Sequence, residues 1–429
     1  MKLELHKFKV SKVQAGNAWA LENGTLTIVS KDVIDHIADD RFASVDIDFA
    51  HPGEEVRITP VKDAIEPRCK MEGAGEVFPG FIGDVDTVGE GKTLVLEGCA
   101  VLTTGRIIAP QEGIVDMTGP GAPYTPFSKT ANIVIILNPV EGVELHSREE
   151  SCRLAGLKAA TFIAKKVKEL GKKADTVETY ESKTFKEALA EYPELPKVAY
   201  IYMLQTQGLL HDTYLYGVDV KKILPTVINA TEVMDGAICS GNCVSSCDKN
   251  STYVHLNNPI IKSLYAHHGK DLNFIGVVVT NENVTLADKK RSSSYATKLA
   301  KTLGADAVVI SEEGFGNPDA DLVLNCWKSE KLGMKTVLVT DEYAARDGGS
   351  QSLADTTPYG DAVVTAGNAN EPIILPKMPK VIGDISTVCD QAGGFVNTVR
   401  EDGSLFVELQ IITGATNELG FTNNGAETL

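Results

Sequence analysis

The chemistry-bearing residues concentrate in one stretch, Thr231 to Pro259, which reads TEVMDGAICSGNCVSSCDKNSTYVHLNNP. Three of the chain's eight cysteines, Cys239, Cys243 and Cys247, recur there at every fourth residue. Asn242 directly precedes Cys243, behind Gly241 and ahead of a run of small polar residues. A thiol one residue after a main-chain carbonyl can attack that carbonyl and turn the amide into a thioester. The amide is ordinarily the more stable link, and its planarity resists distortion. A glycine-loosened, strained turn lowers that barrier. Breakdown of the thioester then cuts the chain between Asn242 and Cys243. Loss of the sulfur by β-elimination leaves dehydroalanine at 243, and hydrolysis turns it into a pyruvoyl ketone.

The same cysteines admit a metal reading. Zinc sites pair cysteines two to four residues apart and add two further ligands. Three cysteines at this spacing can line one helical face, with His255 as a fourth ligand, but Gly241 and Asn242 interrupt such a helix. Iron–sulfur motifs use tighter spacings. No metal is expected, and Cys247 reads as a small buried side chain able to assist processing. His255, His267 and His268 can supply a general base, although the His267-His268 pair before Gly269 reads as a solvated helix end. Glu312-Glu313 and Asp341-Glu342 follow predicted strands, where α/β sheets bind ligands. Each pair nevertheless reads as a helix-start charge. GFGN at Gly314 to Asn317 falls short of a dinucleotide fingerprint, and there is no phosphate loop, GxSxG elbow or HExxH pair. No separately bound cofactor is expected.

Composition narrows the class. A formal charge of −17 argues against nucleic acid, whose phosphates need clustered Lys and Arg. No apolar run approaches the roughly 20 residues that span a bilayer. The opening MKLELHKFKVSKV lacks the apolar core of a signal peptide, and a cytoplasmic location is expected. Cys69, Cys99, Cys152, Cys326 and Cys389 lie far apart and read as reduced thiols.

The elements that must position these residues fall into three stretches. Residues 1–128 read as a β-rich domain, possibly barrel-like, with strands at Leu26 to Ser30, Ser44 to Phe49 and Thr93 to Leu96 and one short helix near Asp32 to Asp39. Residues 129–242 read as α/β. Asn132 to Leu137 has the unbroken apolar run of a buried parallel strand. Ser147 to Glu150 opens a helix with a capping box. Leu154, Leu157, Ala160, Ala164, Val167 and Leu170 give that helix an apolar face, and Gly171 stops it. Lys197 to Met203 then completes a crossover unit. Residues 243–429 repeat the grammar. Strands are predicted at Ile275 to Thr280, Ala307 to Ile310, Val337 to Thr340 and Ala362 to Thr365, with helices over Ala287 to Leu303 and from Asn317-Pro318 to about Leu332. The expected fold class is α/β, with doubly wound, mostly parallel sheets after the β-rich start. The cut falls in a connection between two α/β regions, so the pieces are expected to stay associated.

The run GAICSGNCVSSCDKN, followed by NNP, resembles the processing site of the pyruvoyl-containing subunit of component B of glycine reductase and of the related sarcosine and betaine reductases. The chain length suits that family's proprotein. The resemblance implies autocatalytic cleavage at Asn242–Cys243, with Cys243 the precursor of a covalent pyruvoyl group and Gly241, Cys247 and His255 as assisting residues. It implies a substrate amine, glycine or an N-methylated glycine, held on that group as a Schiff base. It also implies hetero-oligomeric partners: the selenocysteine-containing subunit of component B, whose selenolate attacks the substrate's α-carbon and releases the amine, and selenoprotein A. Glycine and sarcosine can form an iminium, whereas the quaternary nitrogen of betaine cannot. A different class remains open from the residues alone: a non-catalytic, metal-binding or scaffold α/β protein whose Asn242–Cys243 bond stays intact.

Overall fold

The computed structural model describes residues 1–73, 75–208, 210, 212–242, 244, 250–417 and 419–423. Cys243 and Cys247 therefore lie outside the described residues. The described chain is a mixed α/β structure with several sheets and eight α-helices.

The first part builds two four-stranded sheets. One runs Thr176–Glu181, Lys2–Lys9, Gly91–Glu97, Arg68–Lys70, and the other Phe42–Ala50, Ala131–Pro139, Cys99–Gly105, Asp63–Ile65. The long helix Leu145–Glu169 packs on them. Its buried stripe of Cys152, Ala155, Ala159, Ile163 and Val167 shares one core with Leu94, Val101 and Ile133. Gly156 lets that helix sit close: a Cβ there would stand 2.9 Å from both Ile65 and Thr103.

A six-stranded sheet carries the rest, in the order Thr226–Ile228, Asn273–Asn281, Lys197–Leu204, Ala307–Ser311, Lys335–Glu342, Val363–Asn368. All neighbours are parallel except Thr226–Ile228, which is antiparallel to Asn273–Asn281. Lys197–Leu204 supplies its centre with a near-continuous apolar run, as a strand buried on both faces must. From this strand the chain goes first to one neighbour and later to the other. Asn273–Asn281 consequently lies between two strands that precede residue 242. The chain also returns to its beginning, where Lys380–Gly383 pairs in parallel with Val56–Thr59.

Two local expectations change. Ala131–Pro139 and Lys197–Leu204 are not the two strands of one crossover unit, because they lie in different sheets. Between them Thr176–Glu181 crosses back to pair with Lys2–Lys7. The long helix starts at Leu145, without a capping box at Ser147. Glu144 already accepts the Arg148 N–H at 2.9 Å, and Ser147 lies in the first turn against Arg41.

Candidate functional site

The strand Ile238–Ser240 leads into the Asn-Cys pair. It runs antiparallel to Thr213–Leu215, with Ser240 opposite Thr213. Gly241 donates its N–H to the Asp212 carbonyl at 2.6 Å. Asn242 then turns into the left-handed region at φ +58°, which side chains other than glycine seldom enter, asparagine being the commonest exception. No helix passes through it. The Asn242 side chain is buried, and its nitrogen donates to the Glu149 main-chain oxygen at 2.7 Å and to Glu149 Oε1 at 3.3 Å. Its Oδ1 is buried and finds no hydrogen-bond donor among the described residues.

Glu149 is itself held. Arg153, one helical turn on, donates to its two oxygens at 2.8 and 3.4 Å. The guanidinium lies 4.5 Å from the centre of the Phe81 ring and 4.2 Å from that of Tyr214. A cleft of about 710 Å³, lined in part by Phe81, His146, Glu149, Arg153, Tyr214 and Lys222, opens against this pair. The cleft borders this pair, but both side chains are buried, Glu149 completely.

Two buried carboxylates organise the other side of the segment. Asp63 accepts the Thr252 N–H at 2.9 Å and the Thr252 hydroxyl at 2.6 Å, and that hydroxyl oxygen accepts the Ser240 N–H at 3.0 Å. Burial pushes the Asp63 carboxyl up to about 7. Glu313 accepts the N–H groups of Gln205 at 2.8 Å and Asn250 at 3.0 Å and the Thr213 hydroxyl at 2.9 Å. Its Oε1 also lies 3.4 Å from His255 Nε2, and His255 Nδ1 lies 2.8 Å from the Tyr202 hydroxyl. The partner of Ser240 and the exit of the cysteine segment at Asn250 therefore meet on one carboxylate.

His255, predicted as an assisting residue, belongs to this network. Gly241 and Asn242 occupy its rim, and Cys243 and Cys247 lie outside the described residues. His267 and His268 pair instead with Asp271 and Glu191. Glu312, Glu313 and Asp341 are buried at the carboxyl ends of their strands and are not helix-start charges. Burial, then the nearby Asp319, drives the Glu312 carboxyl well above its usual range; burial, then Glu312, does the same to Glu282. Cys239 is buried, its thiol directed at the Gly236 carbonyl and pushed well above the usual thiol range by burial, so it is a poor nucleophile. Among the described residues no three His, Cys, Asp or Glu side chains are placed to hold a metal, and no helix is long and apolar enough to cross a membrane.

Sequence reasoning missed Glu149, Arg153, Asp63 and Thr252. A signal for the first two was present: they stand four apart on the helix that carries Cys152, Gly156 and Ala160 inward, and a charged pair on a buried stripe needs a polar task.

The family model for glycine/sarcosine/betaine reductase component B subunits matches residues 1–427. The chain is 58% identical over 431 residues to the glycine reductase complex component B subunits alpha and beta of Acetoanaerobium sticklandii, covering 100% of both chains. It is 58% identical over 430 residues to the protein of the same description from Peptoclostridium acidaminophilum, covering 98% of each. To the sarcosine reductase complex component B subunit alpha of the latter organism it is 52% identical over 422 residues, again covering 98% of each. No solved structure matches.

Proposed function

Since the chain belongs to the component B subunits of the glycine, sarcosine and betaine reductases, we propose that it is the proprotein of their pyruvoyl subunit. The chain cuts itself between Asn242 and Cys243, and residue 243 becomes the pyruvoyl group. The observation that carries this is the conformation of Asn242: a buried, left-handed residue with its amide nitrogen gripped and its Oδ1 unpartnered among the described residues. Strain of that kind, of order 1–3 kcal/mol, persists only where the surroundings impose it. Two relatives of the same length are each named as two subunits, alpha and beta, which supports one chain becoming two.

A pyruvoyl ketone supplies a carbonyl that condenses with an amine and draws electrons from the adjoining carbon. The remaining work falls to the chain's own residues. Glu149 and Arg153 fix Asn242 from the cleft side. Asp63, through Thr252, ties Ser240 to the start of the helix Thr252–Leu256. Glu313 and His255 place a buried carboxylate and an imidazole 3.4 Å apart at the foot of the segment. The substrate we assign is glycine, after the two relatives at 58% identity. The sequence has no selenocysteine, so the nucleophile is assigned to the selenocysteine-containing subunit of component B, with selenoprotein A downstream, in a cytoplasmic hetero-oligomer. We also read the six-stranded sheet as doubly wound. Its strand order supports this and puts Glu313 beside the reversal, where such sheets bind ligands.

Intact-mass analysis under denaturing conditions tests the proposal. Pieces 1–242 and 243–429 are expected, the second without the Cys243 sulfur and reactive toward hydrazine. A single full-length mass from protein that supports glycine reduction with its partners overturns it. Turnover of glycine, sarcosine and betaine by the reconstituted complex then tests the substrate assignment.

A further inference from the structure

The main-chain carbonyl of Asn242 has two nucleophiles within reach along the chain: the thiol of Cys243 and the side-chain nitrogen of Asn242 itself. We infer that Glu149 decides between them, by engaging that nitrogen with both its main-chain oxygen and its carboxylate. The inference rests on the cut proposed at Asn242–Cys243.

The two routes leave different products. In cyclisation the Asn242 side-chain nitrogen bonds to the main-chain carbon, the bond to the Cys243 nitrogen breaks, and that nitrogen takes up the proton displaced from the amide. The upstream piece ends in a succinimide. The downstream piece begins with an intact cysteine, and no ketone can follow because the sulfur has not left. In the thiol route the Cys243 sulfur bonds to the carbon, the same C–N bond breaks, and the Cys243 nitrogen takes up the proton the thiol gives up. The Cα proton of residue 243 then goes to a base, and the C–S bond breaks with its electrons staying on the departing thioacid. Water converts the dehydroalanine to a ketone and ammonia, and the thioacid to a carboxylic acid and hydrogen sulfide. Only this route matures the chain.

The geometry opposes cyclisation. Among the described residues only Glu149 bonds the Asn242 side chain, and it does so twice through the nitrogen, at 2.7 and 3.3 Å. Glu149 cannot swing away freely, since Arg153 holds both of its oxygens and is itself seated against Phe81 and Tyr214. A carboxylate buried in this way is a costly choice for a helix interior unless it has hydrogen bonds to make. Glu149 is thus a positioning residue that acts through Asn242 and leaves the Cys243 thiol as the nucleophile.

The test compares the full chain with Glu149→Ala, with Glu149→Leu/Arg153→Met, and with Glu149→Ala/Asn242→Ala, reading intact masses and the number of alkylated thiols in the downstream piece, three when residue 243 has lost its sulfur and four when it is still cysteine. The Leu/Met pair removes both charges together and leaves neither buried alone, so it answers the question where Glu149→Ala does not fold. The wild type is expected to give only the downstream piece that lacks the Cys243 sulfur. The first two variants are expected to give a mixture, because the main-chain oxygen still accepts one N–H. In it a cysteine-starting piece with four alkylatable thiols appears, and the upstream piece is one water lighter or carries the hydrolysed succinimide. Adding Asn242→Ala should abolish the cysteine-starting piece. Identical products in wild type and both Glu149 variants overturn the inference and leave the proposed function standing. A wild-type chain that is never cut overturns both.

Discussion

The His255 imidazole and the Glu313 carboxylate meet at 3.4 Å with both side chains buried, and the same carboxylate anchors Thr213 and Asn250. One acidic group thus serves a strand, a loop end and a helix. Its deletion should be felt at all three.

Glu313→Ala leaves the Gln205 and Asn250 N–H groups and the Thr213 hydroxyl without their acceptor. Orphaning a buried hydrogen-bonding partner costs about 1–3 kcal/mol. Urea unfolding should therefore show a loss of at least about 1–3 kcal/mol, with Glu313→Gln losing less because it keeps one oxygen acceptor. An unchanged unfolding midpoint for Glu313→Ala would refute the anchoring role.

The Asp63 carboxyl, raised to about 7 in the fold, has an unfolded value near 3.9. Between those values the folded chain carries the extra proton. This group's effect on stability is therefore absent below about pH 4 and grows into a loss of about 4 kcal/mol as pH rises through 7. Asp63→Asn has no proton to lose. The difference in unfolding free energy between variant and wild type should change steadily from about pH 4 to 8, and a pH-independent difference would count against the assignment.

Cleaved protein should not fall apart. Asn273–Asn281, downstream of the cut, is hydrogen-bonded on one side to Thr226–Ile228 and on the other to Lys197–Leu204, both upstream. Size exclusion in native buffer should show both pieces in one peak, resolving only in denaturant. Separate native peaks would contradict the sheet order.

Gly217→Ala should lower the melting temperature. Gly217 sits at φ +72°, and a Cβ there would stand 2.6 Å from the Gly80 backbone. Strain and contact together should remove about 1–3 kcal/mol. A melting temperature equal to wild type would mean the two loops part more easily than their packing suggests.

Much of the sheet was legible in the sequence because buried parallel strands announce themselves: NFIGVVVTN and KVAYIYML are apolar runs of the right length, spaced by amphipathic helices. Thr176–Glu181 was not legible. All six of its residues are at least partly exposed, so TVETYE has no apolar signature, and only pairing with Lys2–Lys7 makes it a strand. Interleaving was equally hidden, since nothing local in Asn273–Asn281 says which two strands will flank it. At the site, Asn242–Cys243 stood out by its chemistry. Glu312 and Glu313 were misjudged because acids after a strand usually cap a helix, and only the folded sheet shows them buried. Asp63 and Thr252 lie 189 residues apart, and no spacing rule spans such a gap.

The strand Lys380–Gly383 completes the sheet that begins with Val56–Val61. On a ribosome adding about 5–20 residues each second, the early strand waits tens of seconds for its partner. The cysteine segment emerges well before that, with Glu313 and the returning strand still unmade. Cys243 thus leaves the exit tunnel before Glu313 and the returning strand are made, and the proposed self-cleavage, if it needs them, comes after synthesis. On the proposed reading the state of the 242/243 bond records time: an intact bond marks a chain that is young or has not finished folding.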